Sequence, residues 1–147
     1  MQDDILNKIL KIARLTHEVF ALYDKVDFEV IHQPKGNHNR SLKKGEMAVY
    51  TFFYGDQCLK VGQVGPNSNA RYRYQHYGFN AKSTLAKSLV NDKTLNLGLN
   101  ETNVGEWIKN NCDRYDVIIK VPEKKSKLLL NLYEGALQYC LGPKYEG

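Results

Sequence analysis

Two hydrophobic segments in the first half of the chain have the composition of β-strands. Residues 47–54 and residues 58–64 are rich in Val, Tyr and Phe, and the short segment Gly55-Asp56-Gln57 separates them. This pattern predicts a β-hairpin with a three-residue turn. In such a hairpin Tyr50 and Lys60 lie on the same face as diagonal neighbours, about 7–8 Å apart at the backbone. The hairpin therefore brings a phenol and an ammonium group within reach of each other.

A helix is predicted directly after the hairpin. The segment Gly65-Pro66-Asn67-Ser68 ends the second strand, and the residues that follow carry Arg71, Arg73 and His76 beside three tyrosines. A phenol, an ammonium and a guanidinium group on one strand–strand–helix surface are suited to bind a phosphate group.

The remainder of the chain predicts an α+β fold. Apolar residues at helical spacing, including Ile5, Ile9 and Ile12, indicate an N-terminal helix over residues 3–27. The other predicted elements are a short strand over residues 28–31, helices over residues 84–90 and 102–111, a strand over residues 115–121, and a last helix that begins near residues 123–126 and ends at Gly142-Pro143. Together they predict a three-stranded, mainly antiparallel sheet flanked by helices. No linker or repeat interrupts the chain, so we expect a single domain over residues 1–147.

The last helix carries one carboxylate beside its apolar face. The predicted core side of this helix consists of Leu129, Leu132, Tyr133, Ala136, Leu137 and Cys140. Glu134 lies at the border of the apolar face, because Leu130 and Leu137 are its neighbours at i−4 and i+3. A carboxylate at such a border needs a partner, which a metal ion or a basic side chain provides.

The positive charge of the chain is concentrated around the hairpin. The net charge is +5, but residues 35–93 contain ten Lys or Arg and three Asp or Glu, which is a local net charge of +7. The same segment holds eight of the 16 aromatic residues. A basic surface interleaved with aromatic side chains suits a nucleic-acid backbone. The loop of residues 32–44 either contacts this backbone or is simply solvated; its basic side chains are Lys35, Arg40, Lys43 and Lys44.

The spacing of cysteine and histidine argues against a zinc site. Cys58, Cys112 and Cys140 are odd in number and far apart, which favours free thiols in a reducing compartment. His32 and His38 have no further His or Cys pair at ligand spacing. The start of the chain has neither a basic segment nor a continuous apolar run, so we expect a cytoplasmic protein.

Five short motifs, in order and at suitable spacing, resemble the GIY-YIG nuclease superfamily. They are Ala48-Val49-Tyr50, Lys60-Val61-Gly62, Arg71, Leu132-Tyr133-Glu134 and Pro143-Lys144-Tyr145-Glu146. The resemblance covers residues 45–147 and departs from the family pattern at Ala48, Lys60 and Glu146. Lys in the second motif is similar to a restriction-endonuclease branch of the superfamily.

The resemblance implies a metal-dependent endonuclease that hydrolyses DNA phosphodiester bonds. Tyr50 would be the general base, Arg71 would bind the scissile phosphate, and Glu134 would hold a single Mg²⁺ or another divalent cation. Lys60 would favour the phenolate of Tyr50 or orient the attacking water. Further contacts to the substrate would come from Arg73, His76, Lys43 and Lys44.

Two other functions remain open from the sequence. The three departures from the family pattern are compatible with a nucleic-acid-binding module that has the same fold and no catalytic activity. A regulatory or protein-interaction domain is the other alternative, and it would show no salt-dependent binding of DNA. If the substrate is a duplex cut on both strands, one site per chain implies a homodimer, for which the helix of residues 3–27 is the expected interface.

Overall fold

The protein has the predicted α+β fold, built on one four-stranded antiparallel sheet. A computed structural model describes residues 2–23, 25–66, 68–79, 81, 84–120 and 126–145. The strands are β1 (Asp27–Gln33), β2 (Glu46–Tyr54), β3 (Gln57–Val64) and β4 (Asp113–Lys120). The helices are α1 (Gln2–Ala21), α2 (Asn69–Arg73), α3 (Leu85–Asn91), α4 (Val104–Asn111) and α5 (Ser126–Leu141), with a 3₁₀ turn at Gln75–Tyr77.

The sheet contains one strand more than the three that the sequence predicted. Its order is β1-β4-β2-β3, and every neighbouring pair is antiparallel. The fourth strand is β1, which includes the short segment expected over residues 28–31. It joins the sheet by pairing with β4 along its full length. Since β4 and β2 are the two inner strands, side chains from β4 lie directly beside those of β2. The pairing of β4 with β2 positions the candidate active site.

Both faces of the sheet are covered, which explains the continuous hydrophobic run in β2. One face packs against α1 and α5, and its buried side chains include Ile9, Ala13, Val49, Val117, Tyr133 and Leu137. The other face packs against the shorter helices, and its buried side chains include Ala48, Tyr50, Tyr72, Leu85, Leu89 and Ile108. In β2 only the last residue, Tyr54, is exposed.

The hairpin has a two-residue turn rather than the expected three-residue turn. Gly55 and Asp56 connect the strands, and Gly55 has a φ of +58°, a backbone conformation that glycine adopts readily. A two-residue turn alone would point Lys60 away from Tyr50, because a register shift of one residue exchanges the two faces of a strand. A β-bulge at Leu59 compensates, since Phe53 pairs with Cys58 and Phe52 with Lys60.

Two predicted helices are shorter than the sequence indicated. The N-terminal helix α1 ends at Ala21 rather than at residue 27, because Asp27 already begins strand β1. The helix after the hairpin ends at Arg73, and His76 lies on the separate 3₁₀ turn instead of on the same helix. Helix α3 begins as predicted after Thr84, whose hydroxyl accepts a hydrogen bond from the backbone N–H of Lys87 at 3.2 Å.

The buried face of helix α5 differs from the predicted one at three positions. Leu132 is 53% exposed and Cys140 is also exposed, whereas Leu130 is buried. The residues after α5 run along the free edge of the sheet: the backbone N–H groups of Lys144 and Tyr145 donate to the carbonyls of Cys58 and Leu59, both at 2.9 Å. Glu146 lies outside the described residues. Among the helices that are described, none is long and apolar enough to cross a membrane.

Candidate active site

A pocket of about 190 Å³ opens at the free edge of the sheet, where β3 meets α2 and α5. It is lined by Tyr50, Lys60, Val61, Gly62, Gln63, Arg71, His76, Lys127, Glu134 and Gln138. Five residues singled out from the sequence therefore meet in one place, although they come from five different elements of the fold. They are Tyr50 on β2, Lys60 on β3, Arg71 on α2, His76 on the 3₁₀ turn and Glu134 on α5.

The ring of Tyr50 rests on the backbone of β3, and only glycine leaves room for it. Gly62 pairs directly with Tyr50 across the two strands. A Cβ atom on Gly62 would lie 2.8 Å from Cε1 of Tyr50 and closer still to the phenol oxygen. Carbon atoms make favourable contacts at about 3.5–4.0 Å, so any side chain at this position would displace the ring. The glycine of the second motif thus has a direct steric role.

His76 donates a hydrogen bond to the phenol oxygen of Tyr50. Its Nδ1 accepts the backbone N–H of Leu85 at 3.2 Å, so in the neutral ring the proton is on Nε2. Burial, followed by the positive charge of Arg114, lowers the pKa of His76 to about 3, which keeps the ring neutral near pH 7. Nε2–H then donates to Tyr50. The hydroxyl proton of Tyr50 is therefore available to another acceptor.

Burial also disfavours the phenolate of Tyr50. It raises the pKa of this phenol to about 12, although the guanidinium groups of Arg71 and Arg114 act in the opposite direction. Ionising the phenol at pH 7 from a pKa of about 12 costs about 7 kcal/mol. From the sequence, Lys60 was expected either to favour the phenolate or to orient the attacking water. Among the charged groups that lower the pKa of Tyr50, the two arginines have the largest effects.

Lys60 is a buried member of the pocket, not a solvated strand lysine. It is 3% exposed, and burial lowers the pKa of its ammonium group while the charge of Glu134 raises it. Arg71 lowers the pKa of Lys60 further, since the two positive charges repel each other. The ammonium group of Lys60 is therefore electrostatically coupled to both the carboxylate and the guanidinium group of the pocket.

Glu134 presents one buried oxygen that has no hydrogen-bond partner among the described residues. Its Oε1 accepts from Nε2 of Gln138 at 3.2 Å, and Oε2 is the atom without a partner. The described residues contain no group of three or more His, Cys, Asp or Glu that could hold a metal ion. A single carboxylate with a free oxygen nevertheless fits Mg²⁺, which is commonly bound by one or two carboxylates, water and a substrate phosphate.

A buried ion pair beneath Tyr50 was missed by the sequence analysis. Arg114 and Asp116 on β4 are almost fully buried, and Nε of Arg114 donates to Oδ1 of Asp116 at 2.9 Å. The hydroxyl of Tyr72 and the amide of Gln33 donate to Oδ2 of Asp116 at 2.5 and 2.8 Å. The guanidinium of Arg114 lies 5.4 Å from the ring centre of Tyr50. The available signal was two charged residues at alternate positions directly before the apolar run of residues 117–119.

Three predicted substrate contacts do not line the pocket. Arg73 stacks instead on its neighbour Tyr74, with Cζ 5.1 Å from the ring centre. Lys43 and Lys44 are exposed on a loop that is tied to α2 by a 2.8 Å hydrogen bond from the backbone N–H of Leu42 to the side chain of Asn69. These three residues can contact only a substrate that extends beyond the pocket.

Three further polar residues from the segment 32–44 make contacts within the fold: Arg40, His38 and His32. The guanidinium of Arg40 pairs with Glu46 at 3.4 Å and with Glu29 at 3.5 Å, so it is not a free phosphate ligand. His38 bonds to the hydroxyl of Tyr77 and to the carbonyl of Cys112, both at 2.8 Å. His32 lies 3.0 Å from the carboxylate of Asp113. The two histidines thus make contacts that support the fold.

Comparisons with family models, with curated proteins and with solved structures give no significant match for this chain.

Proposed function

We propose that this chain is a metal-dependent endonuclease of the GIY-YIG type that hydrolyses DNA phosphodiester bonds. The observation that carries the proposal is the meeting of Tyr50, Lys60, Arg71, His76 and Glu134 in one pocket at the edge of the hairpin. Hydrolysis of a phosphodiester needs an activated water and groups that stabilise the charge on phosphate. The pocket contains a phenol, three cations and a carboxylate with which to meet these needs.

Arg71 is the group that binds the scissile phosphate. It is exposed at the mouth of the pocket, and it forms no ion pair with another described residue. A guanidinium group can donate two parallel hydrogen bonds to phosphate oxygens, which fixes the orientation of the substrate. The phosphate then lies between Arg71 and the buried part of the pocket, where Tyr50 is located.

Tyr50 acts as a phenolate: its own proton leaves to solvent, and its oxygen then accepts the proton of the attacking water. Before that transfer His76 stabilises the negative charge on this oxygen. The Nε2–H of His76 already points at this oxygen and donates to the phenolate without rearrangement. The positive charges of Arg71 and Arg114 favour the same ionised form. These groups work against the burial that raises the pKa of Tyr50 to about 12.

Glu134 is the residue that would hold Mg²⁺, through the oxygen that has no partner among the described residues. A bound divalent cation supplies charge stabilisation to the phosphate and lowers the pKa of coordinated water. Lys60 lines the same pocket as Glu134 and is electrostatically coupled to it. Its ammonium group would therefore supply a second positive charge to the phosphate, beside that of Arg71.

A nucleic-acid-binding module with the same fold and no activity is the second candidate. The observation in its favour is the raised pKa of Tyr50, which makes this residue a poor base unless substrate and metal change its environment. The two candidates agree on binding of DNA and differ only in cleavage.

Mg²⁺-dependent nicking of supercoiled plasmid DNA separates these candidates. We expect nicking by the wild-type protein, its loss in EDTA, and a decrease of about 100-fold or more in Arg71→Ala and in Glu134→Gln. Arg14→Ala is the control, because Arg14 is an exposed arginine of helix α1 that does not line the pocket. Salt-dependent DNA binding without nicking in Mg²⁺ or Mn²⁺ would identify the binding module. Equal activity of the wild type and Arg71→Ala would refute the assigned site.

A further inference from the structure

A second pocket adjoins the candidate active site and shares one wall with it. This pocket has a volume of about 340 Å³ and is lined by Gln63, Val64, Gly65, Pro66, Ser68, Arg71, Lys127 and Leu130. Gln63, Arg71 and Lys127 line both pockets. The two pockets therefore form one groove, whose first chamber holds Tyr50 and Glu134 and whose second chamber holds neither.

The second chamber has the charge of an anion site. Its described lining contains two cations, Arg71 and Lys127, and no carboxylate. Lys127 is held in place, because its Nζ donates to Oε1 of Gln63 at 3.2 Å and the amide of Gln63 donates to Asn131 at 2.8 Å. An ammonium group has three N–H donors, so Lys127 keeps two for another acceptor. Lys127 lines both chambers, so these donors are available at the boundary between them.

The remaining wall of the second chamber includes one exposed apolar residue. Pro66 is exposed, whereas Val64 and Leu130 are only 1% and 2% exposed, and Ser68 contributes a hydroxyl group. A free inorganic anion would leave Pro66 uncovered, whereas a nucleotide can place the carbon atoms of its sugar or base against it. One ammonium group, one guanidinium group and this apolar residue thus fit a phosphate that is joined to a nucleoside.

We propose that the second chamber binds the nucleotide next to the scissile phosphate, with Lys127 on the adjacent phosphodiester. The inference rests on the proposed function, since it assumes that the first chamber receives the scissile phosphate. The substrate is then a strand with at least two consecutive phosphates, and Lys127 is a residue that binds it. One side of the scissile phosphate therefore contributes more to binding than the other side.

The test compares three dithymidine compounds: TpT, the same compound with a 5′-phosphate, and the same compound with a 3′-phosphate. Their dissociation constants are measured by NMR titration in EDTA, so that binding is observed without cleavage. We expect one of the two terminal phosphates to tighten binding by about tenfold in the wild type, in Lys127→Arg and in Lys11→Ala. Lys11 is the matched control, since it is an exposed lysine of α1 that lines neither chamber. The gain should disappear in Lys127→Ala, because the ammonium group that receives the phosphate is removed.

Two results would overturn this assignment. One is an equal gain in Lys127→Ala and in the wild type, which would place the second phosphate elsewhere. The other is the absence of any gain from either terminal phosphate in the wild type. Failure of the proposed function is detected separately, as absence of plasmid nicking in Mg²⁺. A protein that does not cleave can still show or lack the gain in affinity, so failure of this inference is distinguished from failure of the proposed function.

Discussion

Gly62→Ala tests whether the packing of Tyr50 on β3 defines the pocket. The new Cβ would lie 2.8 Å from Cε1 of Tyr50, about 1 Å inside an ordinary carbon–carbon contact. Inserting one methyl group into a well-packed core costs about 1–3 kcal/mol. Replacing glycine by alanine also restricts the unfolded chain and recovers about 0.4–1 kcal/mol, since the φ of Gly62 is not in the positive region. We therefore expect a net loss of about 1–2 kcal/mol in the free energy of unfolding.

The measurement is urea unfolding at pH 7, with Gly135→Ala as the matched control. Gly135 lies within helix α5, is exposed, and has no atom within 4 Å of an added Cβ. Alanine in a helix interior is favoured over glycine by about 0.5–1 kcal/mol, so this control should stabilise the protein. Replacement of glycine by alanine should thus lower the free energy of unfolding at Gly62 and raise it at Gly135. A general effect of glycine replacement would change the free energy of unfolding in the same direction at both positions.

A double-mutant cycle shows whether the clash is with Tyr50. In a Tyr50→Ala background the ring is absent, and Gly62→Ala should become neutral or stabilising. An unchanged cost in that background would refute the steric argument, as would a Gly62→Ala protein that is as stable as the wild type. In the proposed nuclease, Gly62→Ala should also reduce DNA nicking, because a displaced phenol no longer receives the hydrogen bond from His76.

The remaining predictions concern the chemistry and the basic loop. With the pKa of Tyr50 raised to about 12, the logarithm of the cleavage rate should rise with pH from 7 to about 10 with a slope near one, and a rate independent of pH over this range would exclude the phenol as the base. Lys60→Met should lower cleavage by about tenfold or more and change DNA affinity little, whereas normal cleavage would remove Lys60 from the reaction. If Lys43 and Lys44 contact phosphates, replacing both by Ala should reduce the salt dependence of DNA binding by about two units of slope, and an unchanged slope would remove the loop from the interface. Arg40→Ala should instead lower the free energy of unfolding by about 1–3 kcal/mol, as judged by urea denaturation, because the buried carboxylate of Glu46 loses its guanidinium partner and keeps the backbone N–H of Lys43 and the more distant Lys120; unchanged stability would contradict this role.

Local sequence patterns were sufficient to locate the helices and strands of this fold, although not all of their ends, and to identify part of the pocket. Strand-like composition and a short polar segment located the hairpin, and the expected pairing of its central residues agrees with the observed register of Tyr50 and Gly62. The border position of Glu134 on its helix also followed from helical spacing, and this residue is half-buried in the structure. Such features depend on residues within about one turn or one strand, where the periodicity of the backbone determines which face a side chain occupies.

The tertiary structure decided how the chemical groups meet. The two-residue turn alone would have placed Lys60 on the opposite face, and only the bulge at Leu59 returns it to the side of Tyr50. The proton position on His76 depends on the backbone of Leu85, which belongs to the next helix. Arg114 reaches Tyr50 because β4 is inserted between β1 and β2. These contacts join residues distant in sequence, and their energies depend on burial that arises only when both faces of the sheet are covered.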